Sequence, residues 1–200
     1  VTVSDLRQRL EAAIGAAGGE STDFDLNPEV VLPANRKLRE AAVLAAFMDV
    51  AGEPRVLLTM RSSALKHHPG QIAFPGGKRD PGDATLVDTA LREAHEEIAL
   101  EPGNVEVLGT LPPHETVTGF TMTPVIGLVK APFTPVPEAG ECAEIFTVPA
   151  AHVLDTGRYS IQWRRWRGSR RYYYTVPFGP YYIWGATARV LRNLAERMAV

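Results

Sequence analysis

A chain of 200 residues, 45% apolar and 22% charged, is long enough to bury one sizeable core. Those proportions exclude a disordered or fibrous polypeptide. The formal charge of −2 gives no global attraction to nucleic acid or to an anionic membrane, so an anionic ligand must be held by locally placed cations.

In chain order, Leu6, Leu10, Ala13 and Ile14 recur at helical spacing and predict a short amphipathic helix over 4–16, capped by Ser4 or Asp5. Residues 18–36, rich in Gly, Ser, Asp, Asn and Pro, predict a loop that crosses the surface. Apolar runs at 41–49 and 55–61 flank Ala51, Gly52, Glu53 and Pro54 and predict a β-hairpin. Pro75, Gly76 and Gly77 are expected to break the strand that carries Ile72 and Phe74. A helix follows over 84–99, with Asp83 as its cap candidate. Strands are predicted at 105–108, 122–129 and 144–148, and a hairpin over 163–176 turns at Gly168 and Ser169. Ala186, Val190, Leu191, Leu194 and Ala195 mark the inner face of a closing helix over 183–198. Strands and helices mix without βαβ alternation or repeats, which predicts an α/β domain with a mixed sheet between helices.

Cys142 is the only cysteine, so an internal disulfide is excluded and a reducing compartment, the cytoplasm, is expected. No stretch approaches the roughly 20 apolar residues needed to span a bilayer. The start, VTVSDLRQRL, lacks the apolar core of a secretory signal. A soluble chain without a membrane partner is expected.

The helix over 84–99 holds the candidate chemistry. At about 100° per residue, Glu93, Glu96 and Glu97 share one face, while Val87, Ala90, Leu91, Ala94 and Ile98 form another that can pack on a core. Three like charges at this spacing repel and raise one another's pKa unless a cation compensates. Arg92 lies one turn before Glu96 and can brace it. A cluster of hard oxygen ligands also suits Mg²⁺ or Mn²⁺, ions that bind carboxylates and substrate phosphate together. The competing reading is a solvated acidic face.

The stretch GGKRDPGDATLVDTALREAHEEIAL at 76–100 resembles the Nudix box. It departs from that pattern in one extra residue between Gly77 and Arg92, in Asp83 near the place of a spaced Glu, and in Ala99 for the closing Gly. Upstream, LLTMRSSALKHHPGQIAFPGG at 57–77 resembles the second motif of the coenzyme A pyrophosphatase branch, with Lys66 where Arg is usual. Lys keeps the charge and loses the planar fork. GFTMTPVIG at 119–127 and IWGATARVL at 183–191 are similar to that branch as well.

The resemblance implies a single Nudix hydrolase domain, an α/β/α sandwich with a mixed β-sheet and a loop-helix-loop catalytic box. Its core would span 38–198, preceded by an N-terminal helix and surface loop over 1–36. It implies Glu93, Glu96 and Glu97 as ligands of Mg²⁺ or Mn²⁺, and hydrolysis of the coenzyme A diphosphate bridge to adenosine 3′,5′-bisphosphate and 4′-phosphopantetheine. Acyl or oxidised coenzyme A are further substrates on this reading, and ADP-ribose or another nucleoside diphosphate derivative is the alternative. A non-catalytic nucleotide- or nucleic-acid-binding module is the alternative of another class.

Gly76 and Gly77, lacking Cβ atoms, let backbone approach a metal or phosphate, through the Gly77 carbonyl for example, although a plain turn also explains them. Arg61 and Lys66 are the first candidates for the substrate's phosphates, with His67 and His68 beside them in a loop. Lys78 and Arg79 either touch phosphate or pair with Asp80 or Asp83. A general base from outside the box is sought among Glu138, Glu141 and Glu144, of which Glu141 has the reach of a loop. His114 with Glu115 is a further pair. The run WRRWRGSRRYYY has the composition of a nucleic-acid surface, but it also describes a hairpin with one packed and one wet face, and the acidic overall charge speaks against nucleic acid. Its aromatics offer an interface for a homodimer.

Overall fold

The structure is a computed structural model that describes residues 2–64, 70–166 and 168–199. Helix α1 (Val3–Gly15) is capped by Thr2 rather than by Ser4 or Asp5. Thr2 Oγ1 accepts the Asp5 N–H at 3.1 Å, and the Asp5 carboxylate accepts the Thr2 N–H at 3.0 Å. This reciprocal box places the acid in the first turn, where the helix dipole favours it.

The segment over 18–36 does more than cross the surface. Strand β1 (Ser21–Thr22) pairs in parallel with β7 (His114–Glu115). Ser21 and Asn27 are buried. Asn27 accepts the Tyr172 N–H at 2.8 Å and donates to the Tyr172 carbonyl at 3.0 Å, so one side chain satisfies both polar groups of a strand edge.

Strands β2 (Arg39–Val50) and β3 (Glu53–Arg61) form the predicted hairpin. Their connection is shorter than the four-residue link expected, because Val50 pairs with Glu53 and leaves only Ala51 and Gly52 in the turn. Both have positive φ, 54° and 84°, the handedness that matches the twist of two-residue hairpins. β2 also pairs in parallel with β8 (Phe120–Val129) and antiparallel with β5 (Gly76–Lys78). Gly76 and Gly77 therefore belong to a strand rather than merely breaking one. At Gly76, φ is 155°, and a Cβ would stand 2.4 Å from the Ala42 carbonyl oxygen, so no side chain fits this pairing.

With β4 (Ile72–Ala73), β6 (Val105–Thr110) and β9 (Cys142–Pro149), these strands make one mixed sheet among the described residues. β2 is buried on both faces, which is why it reads as a continuous apolar run. Ala42, Leu44 and Ala46 pack with Leu57 and Val125 against Ala90, Ala94 and Ile98 of α2 (Leu86–Ile98). On the opposite face Val43, Ala45 and Phe47 meet Leu6 and Leu10 of α1 and Val190, Leu191 and Leu194 of α4 (Gly185–Met198). The result is an α/β/α sandwich, and a fully buried Leu or Ile in either layer is worth about 1.5–3 kcal/mol. A short α3 (Ala150–Val153) follows β9.

The late hairpin, β10 (Ser160–Trp166) and β11 (Ser169–Thr175), forms a separate two-stranded sheet. Ser169 pairs with Trp166 and opens β11, so it belongs to the strand rather than to the turn. The expected division into a packed and a wet face also fails for β10, which is exposed on both faces from Ser160 to Arg165, whereas β11 is half-buried. No described helix is long and apolar enough to cross a membrane.

Candidate active site

Thr85, two residues after the expected Asp83, caps α2. Its Oγ1 accepts the Asp88 N–H at 3.2 Å and the Asp88 carboxylate accepts the Thr85 N–H at 2.8 Å. The helix closes at Ala99 in the left-handed region, φ 57°, so the conformation that a closing glycine supplies persists with alanine, at a cost of roughly 1–2 kcal/mol.

Asp83 is free of capping because Arg92 claims it. Arg92 Nε and Nη2 each donate to an Asp83 oxygen at 3.0 Å, a bidentate fork. The same guanidinium donates to Glu93 at 3.1 Å, to Glu96 at 3.0 Å and to the Lys78 carbonyl at 3.2 Å. Asp83 further accepts the Thr89 hydroxyl and the Asp80 N–H, both at 2.9 Å. The Arg92 hydrogen bonds hold the Asp83 carboxyl well below the usual carboxylate range, and Asp83 in turn raises Arg92 above its ordinary value. Arg92 thus locks the loop before α2 to the carboxylate face of the helix. Arg92→Lys keeps the charge but cannot reproduce the fork. It is expected to cut kcat by about tenfold, by loosening Glu93 and Glu96, with KM little changed. Steady-state kinetics check this, and unchanged kcat would reduce Arg92 to a surface ion pair.

The three glutamates of the box are not equivalent. Glu97 is 6% exposed and accepts the Gly76 N–H at 3.3 Å. The Glu93 side chain is 14% exposed and occupies the space that a side chain at position 77 would need, since a Cβ on Gly77 would fall 2.5 Å from its carboxyl carbon. Glu96 lies outward, with its side chain 57% exposed. Burial pushes the Glu97 carboxyl up to about 8, and the Glu93 and Glu141 charges add to this against the Gly76 N–H and Arg61. Burial also raises Glu93, against the pull of Arg92. Glu93, Glu97 and Glu141 therefore share one electrostatic neighbourhood.

Among the loop acids the surroundings discriminate. Glu138 turns its carboxylate onto the N–H groups of Gly140 and Glu141, both at 2.8 Å, and so staples its own loop. Glu144 accepts the Tyr181 hydroxyl. Glu141 alone of the three bears on both Glu93 and Glu97. His114 is fully buried, bonded to Ser21 at 2.9 Å and to Asp23 at 3.3 Å, and Glu115 takes the Arg36 fork, so this pair is structural. Arg61 acts on Glu97, and its Nε is buried with no hydrogen-bond partner among the described residues. Lys66, His67 and His68 lie outside the described residues. Lys78 is exposed and lines an open cleft of about 390 Å³ with Arg39, Arg79 and Asp83. Arg79 pairs with Glu40 at 2.9 Å rather than with the carboxylate of Asp80 or Asp83.

The NUDIX domain pattern matches residues 38–163. The chain belongs to the Nudix family. It is 42% identical over 162 residues to a protein of Citrobacter koseri described as an uncharacterized Nudix hydrolase NudL, covering 81% of this chain and 84% of that one. A protein of Klebsiella pneumoniae (strain 342) with the same description is 43% identical over 157 residues, 78% of this chain and 81% of that one. The NUDIX domain of Shewanella oneidensis NrtR, solved with ADP ribose, shares the fold with a TM-score of 0.53 at 18% identity, over 88% of this chain and 97% of that one. A MutT protein from Methanosarcina mazei Go1 does so with a TM-score of 0.51 at 18% identity, over 84% and 96%. A Nudix hydrolase is an enzyme acting on pyrophosphates, and Nudix enzymes generally use divalent ions such as Mg²⁺ or Mn²⁺.

The donors here fit such an ion. Glu93 and Glu97 are mutually repelling carboxylates in a sheltered site, and a small divalent cation relieves that repulsion with the hard oxygen ligands it prefers. Among the described residues no three acidic, His or Cys groups are gathered around one point. Mg²⁺ needs only one or two protein carboxylates beside water and substrate phosphate, so two suffice.

Proposed function

We propose that this Nudix hydrolase cleaves the diphosphate bridge of coenzyme A, releasing adenosine 3′,5′-bisphosphate and 4′-phosphopantetheine, and that it accepts acyl or oxidised forms. The observation that carries this reading is that both ends of the 57–77 motif bear on one carboxylate. Arg61, near its start, acts on Glu97 through its charge, and Gly76, near its end, donates to Glu97 through its N–H. Two described residues of the motif that resembles the coenzyme A branch, Arg61 and Gly76, thereby support a site built around Glu97.

Glu93, Glu97 and the Gly77 carbonyl would hold Mg²⁺ or Mn²⁺, with Glu96 joining them from its outward position. When bound, that ion offsets charge developing on the phosphate oxygens and acidifies water. Arg92 keeps Glu93 and Glu96 in register, and Glu141 is the assigned general base. Arg61, Lys66, Lys78 and the Gly76 and Gly77 backbone take the substrate's phosphates. Residues 1–36 belong to the same domain as the core at 38–198, a reading supported by the packing of Leu6 and Leu10 into the sheet. The buried single cysteine suits a cytoplasmic enzyme.

Coenzyme A, ADP-ribose and a dinucleoside polyphosphate, each incubated with the protein and Mg²⁺ or Mn²⁺, are separated by chromatography with mass detection. Fastest release of 4′-phosphopantetheine, stopped by chelator, is the expected result. Faster cleavage of ADP-ribose would overturn the substrate and keep the chemistry, and no cleavage of any would point to a binding module.

A further inference from the structure

The β10–β11 hairpin carries five of the chain's 21 Lys and Arg residues and no acidic residue. Arg171 is buried and paired with Asp23, but Arg164, Arg165 and Arg170 meet no carboxylate among the described residues. Arg170 lies over the Trp163 ring at 4.4 Å, on the face shared by Ile161, Trp163 and Arg165. On the other face Arg164 lies over the Trp184 ring at 4.4 Å, beside Tyr173 and Tyr182. Ile161 and Trp163 are 52% and 48% exposed.

Charges on an unpaired edge strand commonly guard against aggregation. That role does not explain Arg170, which sits on β11, where Asn27 already covers the outer edge at Tyr172, or Ile161 and Trp163, the residues a guard would remove. A second copy paired edge to edge by a two-fold axis would bring together two strands that carry only positive charge. A bilayer is planar and meets one face, whereas both faces here carry a guanidinium stacked on an indole. A flexible polyanion with flat bases can thread along both, its phosphates meeting the arginines and its bases the rings.

We infer that the β10–β11 hairpin, with Trp184 and Tyr182, is a binding surface for single-stranded nucleic acid. The hairpin forms a different sheet from the one beside the carboxylate helix, and the inference goes beyond the proposed hydrolysis. The test is fluorescence anisotropy of the full chain with a labelled oligonucleotide of roughly 12 nucleotides, as RNA and as DNA, over a salt series. Binding that weakens with salt is expected. Combined Arg164→Ala, Arg165→Ala and Arg170→Ala should weaken it more than tenfold and shrink the slope of log K against log salt by about 2. Trp163→Ala should weaken it about tenfold through lost stacking. An unchanged melting curve shows that the variants are folded. Absence of low-salt binding, equal binding by the triple variant, or equal binding of a duplex or of anionic vesicles would overturn the inference. So would sedimentation showing a dimer that the triple variant loses.

Discussion

Glu97→Gln is expected to lower turnover by about 10²–10⁴-fold without unfolding the chain. The two halves of that expectation have different origins. Glu97 is the most enclosed carboxylate of the box, and burial together with Glu93 makes its charged form costly in the folded protein. Gln has the same shape, and its carbonyl can still accept the Gly76 N–H that Glu97 accepts at 3.3 Å. Removing a carboxyl whose ionised form is costly to bury, while keeping the hydrogen bond, should leave the melting temperature of the metal-free protein unchanged or raised. The activity falls because the neutral amide is a poor ligand for a hard divalent cation. A third readout separates this from a structural defect. Mg²⁺ or Mn²⁺ should raise the melting temperature of the parent chain by binding only the native state, and that rise should shrink in the variant. Retained turnover with a retained metal-dependent rise would remove Glu97 from the metal site.

The helix that bears these groups was legible because two local signals coincide on it. The 3.6-residue apolar stripe of Ala90, Ala94 and Ile98 identifies the buried face, and the spacing of Glu93, Glu96 and Glu97 identifies another. What local reading mistook was the destination of polar side chains. Asp83 looks as good a cap as Thr85, and only the approach of Arg92, nine residues after Asp83, settles which of the two is left to cap. Gly76 and Gly77 read as a break because their pairing with Ala42 and Val43 is a contact between segments far apart in sequence. Among Glu138, Glu141 and Glu144, composition cannot discriminate. Discrimination needs the loop that folds Glu138 onto Gly140 and the strand that carries Glu144 to Tyr181. Local propensity decides which elements form, and long-range partners decide what a carboxylate does in them.

The same principle makes the polar stretch over 18–36 consequential. Asp23 lies in a segment that composition assigns to the surface, yet its side chain is 8% exposed and holds three partners from two distant segments. It accepts the Val117 N–H at 2.8 Å, an Arg171 Nη2 donor at 3.2 Å and a His114 bond at 3.3 Å. Burial alone would push its carboxyl up, but the His114 bond, the Val117 N–H and the Arg171 charge outweigh it and leave the carboxyl below its ordinary value. A depressed folded-state pKa means that the unfolded chain binds the proton more tightly. The stabilisation is therefore complete above the unfolded value of about 3.9 and is lost as pH falls through the folded one. Asp23→Asn leaves Arg171 buried without its counter-charge, which should cost about 3–5 kcal/mol at neutral pH. In urea that corresponds to a midpoint lowered by roughly 1–3 M. The gap between parent and variant should close as the pH is taken below 4, where the parent's own carboxylate protonates. A gap that stays constant down to acid pH would assign the loss to shape rather than charge. No gap at any pH would mean that the early segment is tied to the hairpin by Asn27 rather than by Asp23.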